Sequence, residues 1–212
     1  MLHVESFTFN PFSENTYLVY NDEKEAFLID PGNMPQGETK VLEDFIKSKE
    51  LKIQNILLTH AHIDHIIGLQ WAFDTFKVPV LMHSNETEIL EQAPFTAKKY
   101  GFFFPAFTGE TKLIKEGDEL KLGSDIFHIF DVPGHSPGSV AFYNEASQFV
   151  ISGDALFMMS IGRTDLYKGD YYQLITSIKT KLLTLPDHTK VYSGHGDSTT
   201  IGFEKAHNSF LK

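Results

Sequence analysis

THAHIDH, residues 59–65, places three imidazoles and a carboxylate within seven residues, directly after the apolar run Ile56-Leu57-Leu58. The run reads as a buried strand. A buried strand does not end in side chains this polar unless something binds them. Imidazole nitrogen and carboxylate oxygen are both ligands for zinc, iron or manganese. HIDHIIGLQWAFDTF then turns into a helix, so His60, His62, Asp64 and His65 fall on the connection, with His65 near the helix start. His60 and His62 are two apart and can converge on one ion. Asp64 and His65 face elsewhere on the turn and can serve a second.

Three later stretches repeat the pattern. VPGHSPGS (132–139) offers His135, ISGDALF (151–157) offers Asp154, and YSGHGD (192–197) offers His195. In each, a strand ends, glycine makes room, and a metal-type side chain follows. Seven such groups past four strands point to one shared site at a sheet edge, with enough ligands for two ions and open positions for water. The lone His3, His83, His128, His188 and His207 read as surface or core residues, although His83 also follows a strand.

The elements that must carry these groups are legible in outline. Strand-like runs cover 16–20, 26–30, 55–59, 78–82, 125–132, 139–143, 148–152 and 190–193. Helical spacing joins Val41, Leu42, Phe45 and Ile46, then Leu69, Ala72, Phe73 and Phe76, then Tyr171, Leu174, Ile175, Ile178 and Leu182. Strands and helices mix without strict βαβ alternation, which suggests sheets packed face to face with helices outside. No linker divides the chain, and a single domain over 1–212 is expected. The segment 94–108 holds Phe95, Tyr100, Phe102, Phe103, Phe104 and Phe107 without clear periodicity. It reads as a loop tucked onto the core, or as a substrate lid or homodimer interface.

The 212 residues suffice for a sizeable core. Cysteine is absent, which excludes disulfides, a cysteine nucleophile and thiolate ligands. The net charge of −10 weighs against nucleic acid. No run is apolar enough to span a membrane, and the N-terminus lacks a signal-peptide pattern, so a cytoplasmic protein is expected.

These motifs resemble the metallo-β-lactamase superfamily. THAHIDH matches its HxHxDH signature, and PGHSPGS, SGDALF and SGHGD match its later ligand motifs in order and spacing. The resemblance implies an α/β fold, a four-layer αββα sandwich with the site at one edge of two sheets. It implies His60, His62 and His135 on one ion, Asp64, His65 and His195 on the other, and Asp154 bridging both. Asp154 stands where typical zinc β-lactamases carry a thiolate, so antibiotic hydrolysis is not expected. The pattern is more similar to the glyoxalase II branch, the hydroxyacylglutathione hydrolases. SIGRTDL (160–166) and GDSTTIGFEKAHNSFL resemble its short bacterial members. The helical domain of full-length glyoxalase II has no counterpart in the chain, and GRTD replaces its Gly-Lys-Phe-Tyr glutathione handle.

The expected activity is hydrolysis of a small-molecule thioester, S-lactoylglutathione or a similar hydroxyacyl thioester, by a metallohydrolase. Its cofactors would be two divalent ions, zinc first, with iron or manganese also suited. Asp64 and Asp154 would be the catalytic carboxylates. Arg163 and Asp165 read as candidate substrate contacts, or as an ion pair anchoring the loop after Asp154. The rival is a mononuclear iron persulfide dioxygenase. Such enzymes share the fold, also carry GRTD, and would use His60, His135 and Asp154. A nuclease of the same superfamily ranks below both.

Overall fold

The computed structural model describes residues 1–212 except Gln36 and Phe102. The chain divides into two compact units, Met1–Ile114 and Lys115–Lys212.

Unit one is a six-stranded sheet in the order β1 (Leu2–Phe9), β2 (Glu14–Asn21), β3 (Glu25–Ile29), β4 (Lys52–Leu57), β5 (Val80–His83), β6 (Thr111–Ile114). The first three strands pair antiparallel through tight turns. From β3 to β6 the pairing is parallel. A parallel return needs a long crossover. Helices supply it: α1 (Gly37–Ser48), α2 (Ile63–Ile66) with α3 (Leu69–Phe76), and α4 (Thr87–Lys99). Leu18, Leu28, Ile56, Val80 and Met82 of the sheet cluster with Leu42, Ile46, Ile66, Leu69, Ala72, Leu90 and Ala93 of the helices. The alternate strand residues Val19, Phe27 and Leu57 are fully buried too, which explains why these strands read as continuous apolar runs.

Unit two holds a second six-stranded sheet. Its strands are β7 (Glu119–Leu122), β8 (Asp125–Asp131), β9 (Val140–Asn144), β10 (Phe149–Gly153), β13 (Lys190–Ser193) and β14 (Thr199–Thr200). Their order is β14-β13-β10-β9-β8-β7. A separate hairpin, β11 (Leu156–Phe157) with β12 (Ser160–Ile161), follows β10. Val132, Ala141, Val150 and Val191 pack with Leu174 and Ile178 near α5 (Tyr171–Ser177), and with Ile201 of α6 (Ile201–His207). Each unit is thus a sheet flanked by helices, as expected for the fold class. No helix among the described residues is long and apolar enough to cross a membrane.

The structure departs from the sequence reading in three places. The first residues of the 94–108 segment belong to α4, which carries Pro94 inside it. Proline is a helix breaker by type, yet Ile89, Leu90, Ala93 and Ala97 form a buried stripe that holds the helix together. Phe104 and Phe107 pack onto the unit-one core, whereas Phe95, Tyr100 and Phe103 are exposed. Phe102 lies outside the described residues. The third helix is α-helical only to Ser177 and continues as a π-helical turn over Ile178–Leu182. Finally, β1, β6, β7, β14 and α6 were not expected.

Candidate metal centre

Parallel strands end at the same edge of a sheet, which is where α/β proteins collect their functional residues. In unit one, β3 delivers Asp30, β4 delivers the 59–65 stretch, and β5 delivers the turn Ser84–Glu86. His60 and His65 are fully buried, and His62 and Asp64 half-buried. The His60 ring centre lies 4.7 Å from that of His62 and 4.1 Å from that of His65. His65 Nε2 is 3.8 Å from Asp64 Oδ2.

Asp30 organises this group. Its Oδ1 accepts the Thr59 N–H at 2.7 Å, and its Oδ2 accepts the Thr59 hydroxyl at 2.5 Å and His65 Nδ1–H at 3.0 Å. The Thr59 hydroxyl, having donated to Asp30, accepts His60 Nδ1–H at 3.1 Å. Both imidazoles are thereby held in the tautomer whose lone pair is on Nε2, the form that binds metal. Asn10 ties the neighbouring turn, donating from Nδ2 to Gly32 O at 3.0 Å and to Asp64 O at 2.9 Å. A Cβ on Gly32 would stand 2.4 Å from Asp64 O, so only glycine allows this approach.

Two further buried carboxylates adjoin the histidines, and the sequence reading missed both. Glu14 is fully buried, with Oε1 3.9 Å from His65 Nδ1. That oxygen has no hydrogen-bond partner among the described residues. Burial pushes its carboxyl well above the ordinary value, against the pull of His65. Glu86 is also fully buried and accepts the Ala61 N–H at 2.8 Å. Neither sits in a recognisable motif; the one signal is an acidic residue beside a strand end. His83 accepts the Asn85 N–H and caps its own turn, a structural duty.

In unit two, β8, β10 and β13 run in one direction, because β9 is antiparallel to both β8 and β10 while β13 is parallel to β10. His135, Asp154 and His195 follow these three strands and so emerge at one edge. Asp154 Oδ2 lies 3.3 Å from His135 Nε2 and 3.5 Å from His195 Nε2. His135 Nδ1–H donates to Arg163 O at 2.7 Å, which again leaves the lone pair on Nε2. A Cβ on Gly162 would meet Asp154 O at 1.9 Å, which accounts for the glycine of GRTD. Phe157 meets the His195 ring edge-on.

The donors fit a divalent ion. With bonds of about 2.1 Å in a tetrahedral shell, neighbouring ligand atoms stand about 3.4 Å apart. The two separations around Asp154 Oδ2 match that spacing. The donors are all imidazole and carboxylate, a set that accepts zinc, iron or manganese.

Arg163 and Asp165 pair with each other in a bidentate ion pair at 2.7 and 2.8 Å. That hydrogen-bonded guanidinium holds the Asp165 carboxyl down to about 2. Lys205 bonds to Asp187 and Leu185 O, and Asn208 to Ser160 O and Glu204, so both serve packing.

The description "Metallo-beta-lactamase superfamily" fits residues 9–195 of the chain. The hydroxyacylglutathione hydrolase GloC of Haemophilus influenzae is 38% identical over 99% of this chain and 98% of its own. The crystal structure of the BLEG-1 B3 metallo-β-lactamase is 40% identical, with a TM-score of 0.91, covering 99% of this chain and 100% of that one. TTHA1623, in a di-iron-bound form, is 38% identical with a TM-score of 0.88, covering 98% and 100%.

Proposed function

The chain belongs to the metallo-β-lactamase superfamily, and from that premise we propose that it is a metal-dependent thioesterase acting on S-lactoylglutathione or a similar hydroxyacyl thioester. The observation that carries the reading is Asp154, whose Oδ2 stands at ligand spacing from two imidazole Nε2 atoms. In this reading His60, His62 and His135 would hold one ion, Asp64, His65 and His195 would hold the other, and Asp154 would serve both. Bound there, the ions supply Lewis acidity toward a carbonyl oxygen and a water acidified to near neutral pH.

The chain's own residues supply the rest. Asp64 orients the attacking water and receives its hydrogen bond. Asp30 and Thr59 keep His60 and His65 in the metal-binding tautomer. The leaving thiolate needs no general acid, since a thiol ionises near pH 8.5. Arg163, with Asp165 fixing its guanidinium plane, faces a carboxylate of the thiol carrier. The likeness to a hydroxyacylglutathione hydrolase over 98% of that relative's length supports this substrate class. The net charge of −10 favours a small substrate over nucleic acid.

A mononuclear iron persulfide dioxygenase is the second reading, favoured by the GRTD stretch; the di-iron-bound relative supports only that a related site accepts iron. β-Lactam hydrolysis is named by the BLEG-1 relative. One assay series separates the three. The zinc-reconstituted chain should hydrolyse S-lactoylglutathione with kcat/KM above about 10⁴ M⁻¹s⁻¹ and lose this in Asp154→Ala. A negligible thioester rate, with oxygen uptake on glutathione persulfide by the iron-reconstituted chain or turnover of a β-lactam by the zinc-reconstituted chain instead, would overturn the assignment.

A further inference from the structure

Glu86 stands outside the candidate ligand set, yet it is 0% exposed and its carboxylate meets the backbone within the 59–65 stretch. Its Oε2 accepts the Ala61 N–H at 2.8 Å, and Ala61 is the residue between His60 and His62. β4 ends at Leu57, so no strand ladder is available to take this N–H. His62 continues in an extended conformation, φ −65° and ψ 151°. The imidazoles on either side of Ala61 meet edge to face, with ring centres 4.7 Å apart. Holding Ala61 therefore holds both imidazoles in that arrangement. The bland duty for an acidic residue at a helix start is to cap that helix. Glu86 occupies the N-cap position of α4, but its side chain makes no cap hydrogen bond. The carboxylate reaches instead to a chain segment 25 residues away.

A neutral acceptor would satisfy one buried N–H as well as a carboxylate does. A carboxylate in a fully buried place is unfavourable unless positive charge comes near it. Asp30 and Glu14 are buried beside the same histidines, and Asp30 accepts from His65 Nδ1–H at 3.0 Å. A divalent ion on His60 and His62 would bring positive charge close to Glu86 as well.

We propose that Glu86 is a positioning residue. It fixes the backbone between His60 and His62 and sets a buried negative charge behind them, so that a divalent ion binds more tightly. The inference rests on the metal site read above but not on the thioester substrate.

The test is calorimetric titration of Co(II) into the chelated full-length chain, with the visible absorption spectrum of the Co(II) complex and the melting temperature of the metal-free chain. Glu86→Gln keeps an oxygen for the Ala61 N–H and removes the charge. It should weaken Co(II) binding by about tenfold or more, the size of effect seen for groups that support ligands, while the metal-free chain melts within a few degrees of wild type. Glu86→Asp keeps the charge on a shorter arm. It should bind Co(II) more tightly than Glu86→Gln but with an altered visible spectrum. Wild-type affinity and spectrum in Glu86→Gln would overturn the proposal. So would a Glu86→Asp variant weaker than Glu86→Gln, or affinity losses that only follow equal losses of metal-free stability in both variants. Wild-type protein that takes up Co(II) but cleaves no thioester would sink the thioesterase reading alone; protein that takes up no Co(II) would sink both.

Discussion

In unit one the four candidate ligands lie between His60 and His65, and their supports are side chains delivered by other elements: Asp30, Glu14 and Glu86. In unit two the three candidate ligands come from three strand ends, and main chain is among their supports: Arg163 O on His135, and the Gly162 backbone against Asp154 O. A contiguous turn has few partners of its own, so it borrows buried carboxylates. Ligands at the ends of neighbouring strands inherit their spacing from the sheet. Unit one, although Gly32 packs against Asp64 O, should therefore be the more sensitive to lost acceptors, and unit two to a blocked backbone approach.

Asp154→Ala should have the largest effect, because it removes a ligand rather than a support. Thioester turnover should fall on the order of 10³-fold or more, with zinc content falling in elemental analysis. Asp30→Ala should come next. It strips the acceptor from the Thr59 N–H, the Thr59 hydroxyl and His65 Nδ1–H. Denaturant titration should show a loss of about 3 kcal/mol, and zinc affinity should fall about 10–100-fold. Gly162→Ala should destabilise by about 1–3 kcal/mol through overpacking. It should do so while the spectrum of Co(II) on the unit-one ligands stays closer to wild type than in Asp30→Ala. If Gly162→Ala disturbed both halves equally, the contrast would fail.

The contiguous half was legible because seven adjacent residues carry their own context, an apolar strand running into a helix. His135, Asp154 and His195 were legible through the strand-glycine-ligand pattern repeated three times. Asp30 could be placed locally, because IDPG closes an apolar strand as the ligand motifs do. Glu14 and Glu86 could not, because each touches the site across more than twenty residues and nothing local marks it. Strand β1 escaped because its burial is mixed, and β6 and β7 because four residues each are too few to establish a period. Pro94 masked α4, whose buried stripe outweighs one missing N–H.

The smallest effect sharpens the electrostatic side of the comparison. Glu14 has its folded-state carboxyl raised well above 4.5 by burial. The folded metal-free chain thus keeps a proton that the unfolded chain releases above that value, so this group makes wild type lose stability as pH rises from there. Glu14→Gln cannot ionise. Its metal-free melting temperature should gain on wild type as pH rises past 4.5, and parallel melting curves at all pH values would contradict it.

The most direct check on the central claim is S-lactoylglutathione turnover as zinc is titrated into the chelated chain. The account expects no rate at the start and a rise that continues to the second equivalent per chain, then a plateau. A rate already present before zinc, or complete at one equivalent, would contradict the two-ion reading.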